Sequence, residues 1–256
     1  MPSSAKVFQK AVMRLVFAVS ALTAAACSTA PPEPGALIQD PYREYNRAVH
    51  DFNKGVDTAV LRPVAQAYDF ATPMLVKHLL SNGLSHLRLP GVFINRVLQG
   101  DLEAASEVFG RFALNTIMGA GGLLDPATDF GIPYEGTDFG VTMAVWGVEE
   151  GIYHEAPFFG PSTTRHLFGR FVNFALDPSI LITTGAVEVS GVVEALDLAR
   201  TPVEVVNVRN DNAELIDSIF YESDDSYVTA RSGYIQNRRR QISGEADTEA
   251  LPDIFE

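Results

Sequence analysis

The most constraining feature of this chain is its first 27 residues. Lys6, Lys10 and Arg14 stand there without an acidic residue, and an apolar run, Leu15 to Ala26, follows and ends on Cys27. A basic start, a short apolar stretch and small residues before a cut form a secretory leader. The run is 12 residues long, too short for the roughly 20 needed to span a bilayer. Ala24-Ala25-Ala26 also satisfies an ordinary leader-cleavage site, although a lipobox usually has Leu where Ala24 stands. Cys27, however, is the only cysteine in the chain, and in an oxidising compartment it would otherwise be a lone free thiol. The expectation is a lipoprotein: leader 1–26, lipidated Cys27, and a tether through residue 39 that begins Ser28-Thr-Ala-Pro-Pro-Glu-Pro-Gly35. Acyl chains worth ~0.8 kcal/mol per buried CH2 hold such a protein on its membrane. Ser28 is not an Asp-type retention signal, which favours the outer membrane, on its periplasmic face.

With no second cysteine, a disulfide framework is excluded, so the fold must come from packing. Removing the leader's three basic residues leaves 16 Lys and Arg against 32 Asp and Glu. That balance excludes nucleic acid as a partner and argues against basic-patch binding to anionic lipid. Membrane contact must be apolar.

Periodicity indicates helices. In residues 40–61, Asp40 is expected to cap and Pro41 to take the first helical position. Tyr42, Tyr45, Val49, Phe52, Val56 and Val60 then recur at steps of three or four, and the helix is expected to end near Pro63. Residues 92–118 repeat the pattern through Leu98, Leu102, Ala105, Phe109 and Phe112, with Gly100 as a possible break. Residues 117–124 carry no charge and three glycines. Residues 139–148 alternate with period two and suggest a strand, without an evident partner. Residues 165–176, 186–199, 203–220 and 226–241 read as helices, with a break at Thr201-Pro202. Residues 242–256 are acidic and polar and are expected to be disordered. The fold class is all-α, with one domain over 40–241. By itself the stripe of the first helix reads as core-facing; lipid acyl chains are a second possible target for the stripes at 42–60 and 98–112.

Catalytic signals are weak. Gly83-Leu-Ser85-His86-Leu87 lacks the second glycine of a nucleophile elbow. His154-Glu155 is followed by Ala-Pro, not by the spacing of a zinc helix. The five histidines show no metal-ligand spacing. Gly119-x-Gly121 lacks the third glycine of a dinucleotide loop. No enzyme, metal or cofactor is expected.

From Asp40 onward the motifs carry a resemblance. Asp40-Pro-Tyr-x-x-Tyr-Asn46-Arg47, Phe52-Asn53, Asp57 and Arg62-Pro63-Val-Ala-x-x-Tyr68 open it. Leu98-Gln99-Gly100 and Arg111-Phe112-x-x-Asn115-Thr116-x-x-Gly119-x-x-Gly122-x-x-Asp125 follow. Asp138-Phe139-Gly140, Trp146-Gly147-Val148, Gly151-x-Tyr153, Pro157-x-x-Gly160-Pro161-Ser162-x-x-Arg165 and Tyr227-x-x-x-Arg231-x-x-Tyr234-x-Gln236-x-Arg238 complete it. In this order and spacing the chain resembles the MlaA/VacJ family of phospholipid-transport lipoproteins. Ile152, His154-Glu155, Val141-Thr142-Met143 and Ser226 depart from its usual residues.

The resemblance implies a ring of amphipathic helices lying in the inner leaflet of the outer membrane around a polar channel. It implies removal of misplaced phospholipid from the outer leaflet and transfer to a soluble periplasmic carrier, maintaining lipid asymmetry, beside a trimeric outer-membrane porin. A porin-associated scaffold without transport is the alternative. Phe52 and Asn53 are candidates for shaping the ring or channel, or for simple helix packing. Asn115, Gly119, Gly121 and Gly122 are candidates for a channel-side segment, or for a tight turn. Arg231, Tyr234 and Gln236 are expected to fasten the last helix to the body.

Overall fold

The computed structural model describes residues 37–176 and 191–243. The leader, Cys27, most of the tether and residues 244–256 lie outside these, as do residues 186–190 of one expected helix.

Ten helices and one hairpin are present among the described residues. They are α1 (Arg43–Val56), α2 (Arg62–Ala71), α3 (Met74–Gln99), α4 (Leu102–Ile117), α5 (Pro126–Asp129), α6 (Phe139–Val145), β1 (Tyr153–Ala156), β2 (Gly160–Thr163), α7 (Thr164–Leu176), α8 (Gly191–Asp211), α9 (Ala213–Asp217) and α10 (Ser226–Ser243). The fold is all-α, as expected, and no described helix is long and apolar enough to cross a membrane.

Several boundaries differ from the sequence-based expectation, each for a local reason. Asp40 does not cap α1, which starts at Arg43 after Tyr42 without a side-chain cap. The Asp40 carboxylate instead accepts from Asn46 Nδ2 at 2.8 Å, from Arg231 Nη1 at 2.6 Å and from the Tyr227 hydroxyl. The helix does not end near Pro63 either. Its backbone widens into a π turn over Asp57–Leu61 and continues as α2. Pro63 stands in the first turn of α2, where a missing N–H costs little. Gly100 does break the second region. At φ +78° it closes α3 in the left-handed conformation, but α3 begins at Met74, far upstream of residue 92.

Residues 139–145 form a helix, not a strand. The Asp138 carboxylate accepts from the Val141 N–H at 3.1 Å and nucleates it. The strands lie just beyond, paired antiparallel from Tyr153 with Thr163 to Ala156 with Gly160. Nor is there a break at Thr201-Pro202, because α8 runs through Pro202. The expected 203–220 helix divides into α8, α9 and a second π turn at Ser218–Glu222.

The packing closes a circuit. After the chain passes from α1 into α2, α2 packs on α8, α8 on α3, α3 on α6, α6 on α7 and α7 on β2, while β1 returns to α1. The apolar core within this circuit is small. Leu89, Val92 and Val108 form one cluster with Tyr134 against it. Ile38, Tyr153, Tyr227 and Ile235 form another, with Val228 and Tyr234 against it.

Candidate functional site: a polar interior inside an apolar exterior

On α1 and the π turn that follows it, the residues that turn inward are mostly polar. Asn46, His50 and Asp57 are buried and Asn53 is partly buried, at spacings of four, three and four. The apolar stripe read from the sequence divides: Val49 is buried, while Tyr45 is 63%, Phe52 48% and Val60 51% exposed. On α4 the buried face is mixed, Ala105 and Val108 followed by Arg111 and Asn115, while Leu102 and Phe109 are exposed. On α7, Phe168, Phe171 and Phe174 are all exposed. Among the described residues 13 polar or charged residues are buried, as many as the buried hydrophobic ones, and 32 large hydrophobic residues are exposed. Large exposed apolar side chains in such number suit contact with an apolar medium.

Most inward polar groups are engaged, the buried Nδ1 of His86 being an exception. At the hairpin, Asn46 Oδ1 accepts from the Glu155 N–H at 3.0 Å, and His50 Nε2 lies 3.0 Å from Ser226 Oγ. The Tyr153 hydroxyl donates to Glu155. Burial and then the Glu155 charge push the Tyr153 phenol well above its ordinary range. Asn53 Nδ2 donates to the Ala156 carbonyl at 3.0 Å, and its Oδ1 accepts from the Phe158 N–H at 2.8 Å. Phe52 meets the Phe158 ring edge-on at 5.3 Å. Phe52 and Asn53 therefore both hold the hairpin turn.

The two π turns share a charged cluster. Arg209 donates to both oxygens of Asp57 and to Asp217 Oδ1, at 2.7, 3.1 and 2.5 Å. Arg62 donates to Asp217 Oδ2 at 2.8 Å and lies 4.4 Å from the Tyr221 ring centroid. The Tyr221 hydroxyl reaches Asp57 at 2.7 Å. Burial raises the Asp217 carboxyl, but hydrogen bonds from Arg209 and Arg62 outweigh it and hold it below its ordinary range.

Between α3, α6 and α7 the network is neutral. Thr142 Oγ1 donates to Asn95 Oδ1 at 2.8 Å, Gln99 donates to Thr142 at 3.0 Å, and Asn173 accepts from the Phe139 N–H at 3.0 Å.

Asn115, Gly119 and Gly122 come together at a separate place, the turn after α4. Asn115 Nδ2 donates to Asp125 at 2.9 Å while its Oδ1 accepts from the Ala127 N–H at 3.0 Å. A Cβ on Gly119 would lie 2.5 Å from the Asn115 and Leu124 carbonyl oxygens. Gly122, at φ +92°, abuts the His86 ring, where a Cβ would fall within 2.2 Å. Gly121 has a positive φ and open space. The segment is a closely packed turn. On α10, Arg231 holds Asp40 and the Tyr234 hydroxyl bonds His166 Nδ1 at 2.6 Å, whereas Gln236 is exposed. His50, Asn95, Arg209, Thr142 and Glu155 escaped the sequence reading. For His50 the available signal was its helical spacing from Asn46, Asn53 and Asp57. Among the described residues no group of three or more His, Cys, Asp or Glu side chains could hold a metal ion.

Comparison with known proteins bears on this architecture. The model of the MlaA lipoprotein family matches residues 38–241. The intermembrane phospholipid transport system lipoprotein MlaA of Shigella flexneri is 33% identical over 203 residues, 77% of this chain and 76% of that protein. Its Haemophilus influenzae counterpart is 30% identical over 224 residues, 84% of each. A solved structure described as "Structural basis for maintenance of bacterial outer membrane lipid asymmetry" superposes with a TM-score of 0.67 at 30% identity, covering 80% of this chain and 99% of that one. The match spans the helical circuit and its inward polar stripes, and the chain belongs to the MlaA lipoprotein family.

Proposed function

We propose that this protein is an outer-membrane lipoprotein that removes misplaced phospholipid from the outer leaflet and passes it to a soluble periplasmic carrier. The observation that carries this reading is the inversion of the helices, with polar groups inward and large apolar side chains outward. A helical circuit satisfies its own backbone bonds and can therefore lie in a leaflet without spanning it. Its apolar exterior then faces acyl chains, and its polar interior offers a headgroup a route that hydrocarbon denies. The stripes left open by the sequence thus take acyl chains as their target. Transport needs no covalent chemistry, so no catalytic group is assigned.

In this reading the chain divides into leader 1–26, lipidated Cys27 with a tether to 39, the helical domain 40–241 and a polar tail 242–256. Phe52 and Asn53 shape the channel wall through the hairpin turn. Asn115, Gly119, Gly121 and Gly122 form a turn on the channel side. The trimeric porin and the periplasmic carrier follow from the family resemblance, and the names of the relatives support the phospholipid cargo.

Gene deletion tests the role. The deletion strain should accumulate phospholipid in the outer leaflet and lose resistance to detergent with chelator, with both restored by the wild-type gene. A Cys27→Ala protein should appear in the soluble periplasm. Unchanged surface phospholipid in the deletion strain, with no redundant pathway present, would favour a scaffold without transport.

A further inference from the structure

Positive charge collects where α7, β2 and α10 meet. Arg165, Arg170 and Arg238 all act electrostatically on His166, and Asp138 is the carboxylate that offsets them there. Arg238 already engages Asp138 through two bonds, at 2.7 and 3.1 Å. Nearby Glu150 is held by Arg239 at 2.6 Å. Most described arginines are held by carboxylates, but Arg165 donates to the Val148 carbonyl and Arg170 to the Phe159 carbonyl, at 2.6 and 3.3 Å. Guanidinium stays charged and carries five donors. One whose single acceptor is a neutral carbonyl keeps further donors open to a ligand. In a chain of net charge −13, a local surplus of cations marks a place suited to an anion.

Arg170 has the more distinctive surroundings. Its guanidinium lies 5.6 Å from the centroid of the Phe159 ring, which is 70% exposed. Phe174, one turn along the same face of α7, is 67% exposed. Cation, free donors and two bare aromatic rings match an amphiphile that joins a two-oxygen anion to apolar chains. We infer that Arg170, flanked by Phe159 and Phe174, binds the phosphate of a phospholipid and that the rings take its acyl chains. Burial, followed by the charges of Arg238 and Arg170, lowers His166 to about 4, in keeping with a positive local field.

This inference rests on the phospholipid-handling role proposed above. The test uses the full lipoprotein in detergent, titrated with dioctanoyl phosphatidylglycerol, dioctanoylglycerol and inorganic phosphate. Arg170→Gln should weaken phosphatidylglycerol binding about tenfold, the scale of one charge-assisted hydrogen bond. Arg170→Lys should recover part of the loss, and dioctanoylglycerol binding should not change. If Arg170→Gln does not fold, phenylglyoxal modification of the wild type serves instead, and phosphatidylglycerol but not dioctanoylglycerol should shield Arg170. Equal phosphatidylglycerol binding by both proteins, or equal shielding by dioctanoylglycerol, would overturn the site while leaving the transport role intact. Inorganic phosphate binding as tightly as phosphatidylglycerol would overturn the lipid assignment. A wild type that binds no phospholipid would overturn the underlying role as well.

Discussion

Arg209 on α8 donates from Nε and Nη2 to both carboxylate oxygens of Asp57, across 152 residues of chain, with both side chains buried. The pair fastens the π turn after α1 to the second π turn through Asp217 and Tyr221. Removing one partner of a buried ion pair strands the other and typically costs about 3–5 kcal/mol. Arg209→Gln should destabilise the protein on that scale in chemical unfolding. The double change Asp57→Asn with Arg209→Gln should cost less than the sum of the single ones, and additive costs would show that the two side chains do not act as a unit.

Asn53 fixes a strained turn. Phe158 sits at φ +66°, a conformation unfavourable for a bulky residue, and its N–H is held by Asn53. Asn53→Ala removes that bond and the one to Ala156. The loss should be about 1–3 kcal/mol, with faster hydrogen exchange at Phe158. Asn53→Asp keeps the acceptor but loses the donor, and should fall between them. Unchanged exchange at Phe158 would contradict the clamp.

His166 makes stability depend on pH. Its imidazole is lowered from 6.5 to about 4, first by burial and then by Arg238 and Arg170. Between those values the unfolded chain binds a proton that the folded chain does not, so stability falls as pH drops from 6.5 toward 4. His86 and His154, also lowered by burial, add to the same slope. Asp125, Asp138, Asp217 and Asp225 are held below their ordinary values, so their contribution is present at neutral pH and is lost at still lower pH. His166→Gln should flatten the Tm decline between pH 6.5 and 4. Parallel wild-type and variant curves would refute the assignment.

Much of the fold was legible because helical periodicity survives whichever way a helix faces. The apolar stripe of α1 was read correctly as a stripe, yet its partner was open between core and acyl chains. The polar repeat Asn46, His50, Asn53 and Asp57 faces inward, and sequence alone does not say which solvent surrounds a helix. The strand expected at 139–148 failed because period two over a few residues is matched by a short helix once Asp138 caps it. The hairpin escaped because its turn, Pro157-Phe158-Phe159, uses a strained phenylalanine secured from α1 in place of the glycine or asparagine that signals a tight turn. Pro202 failed as a breaker because α8 packs on both α2 and α3, and such packing outweighs a lost hydrogen bond. Phe52 and Asn53 are candidates through the family motif, and both lie against the hairpin turn. Their partner Phe158 lies too far along the chain for spacing to reveal.

Which solvent surrounds the helices can be measured at Trp146, the single tryptophan, which is 54% exposed and donates from Nε1 to the Leu98 carbonyl at 3.0 Å. Such a ring is suited to a membrane interface. With the lipidated protein in vesicles, phospholipids brominated along their acyl chains should quench Trp146 fluorescence strongly, and aqueous iodide should quench it weakly. Strong iodide quenching with no effect of brominated lipid would contradict an apolar exterior buried in the leaflet.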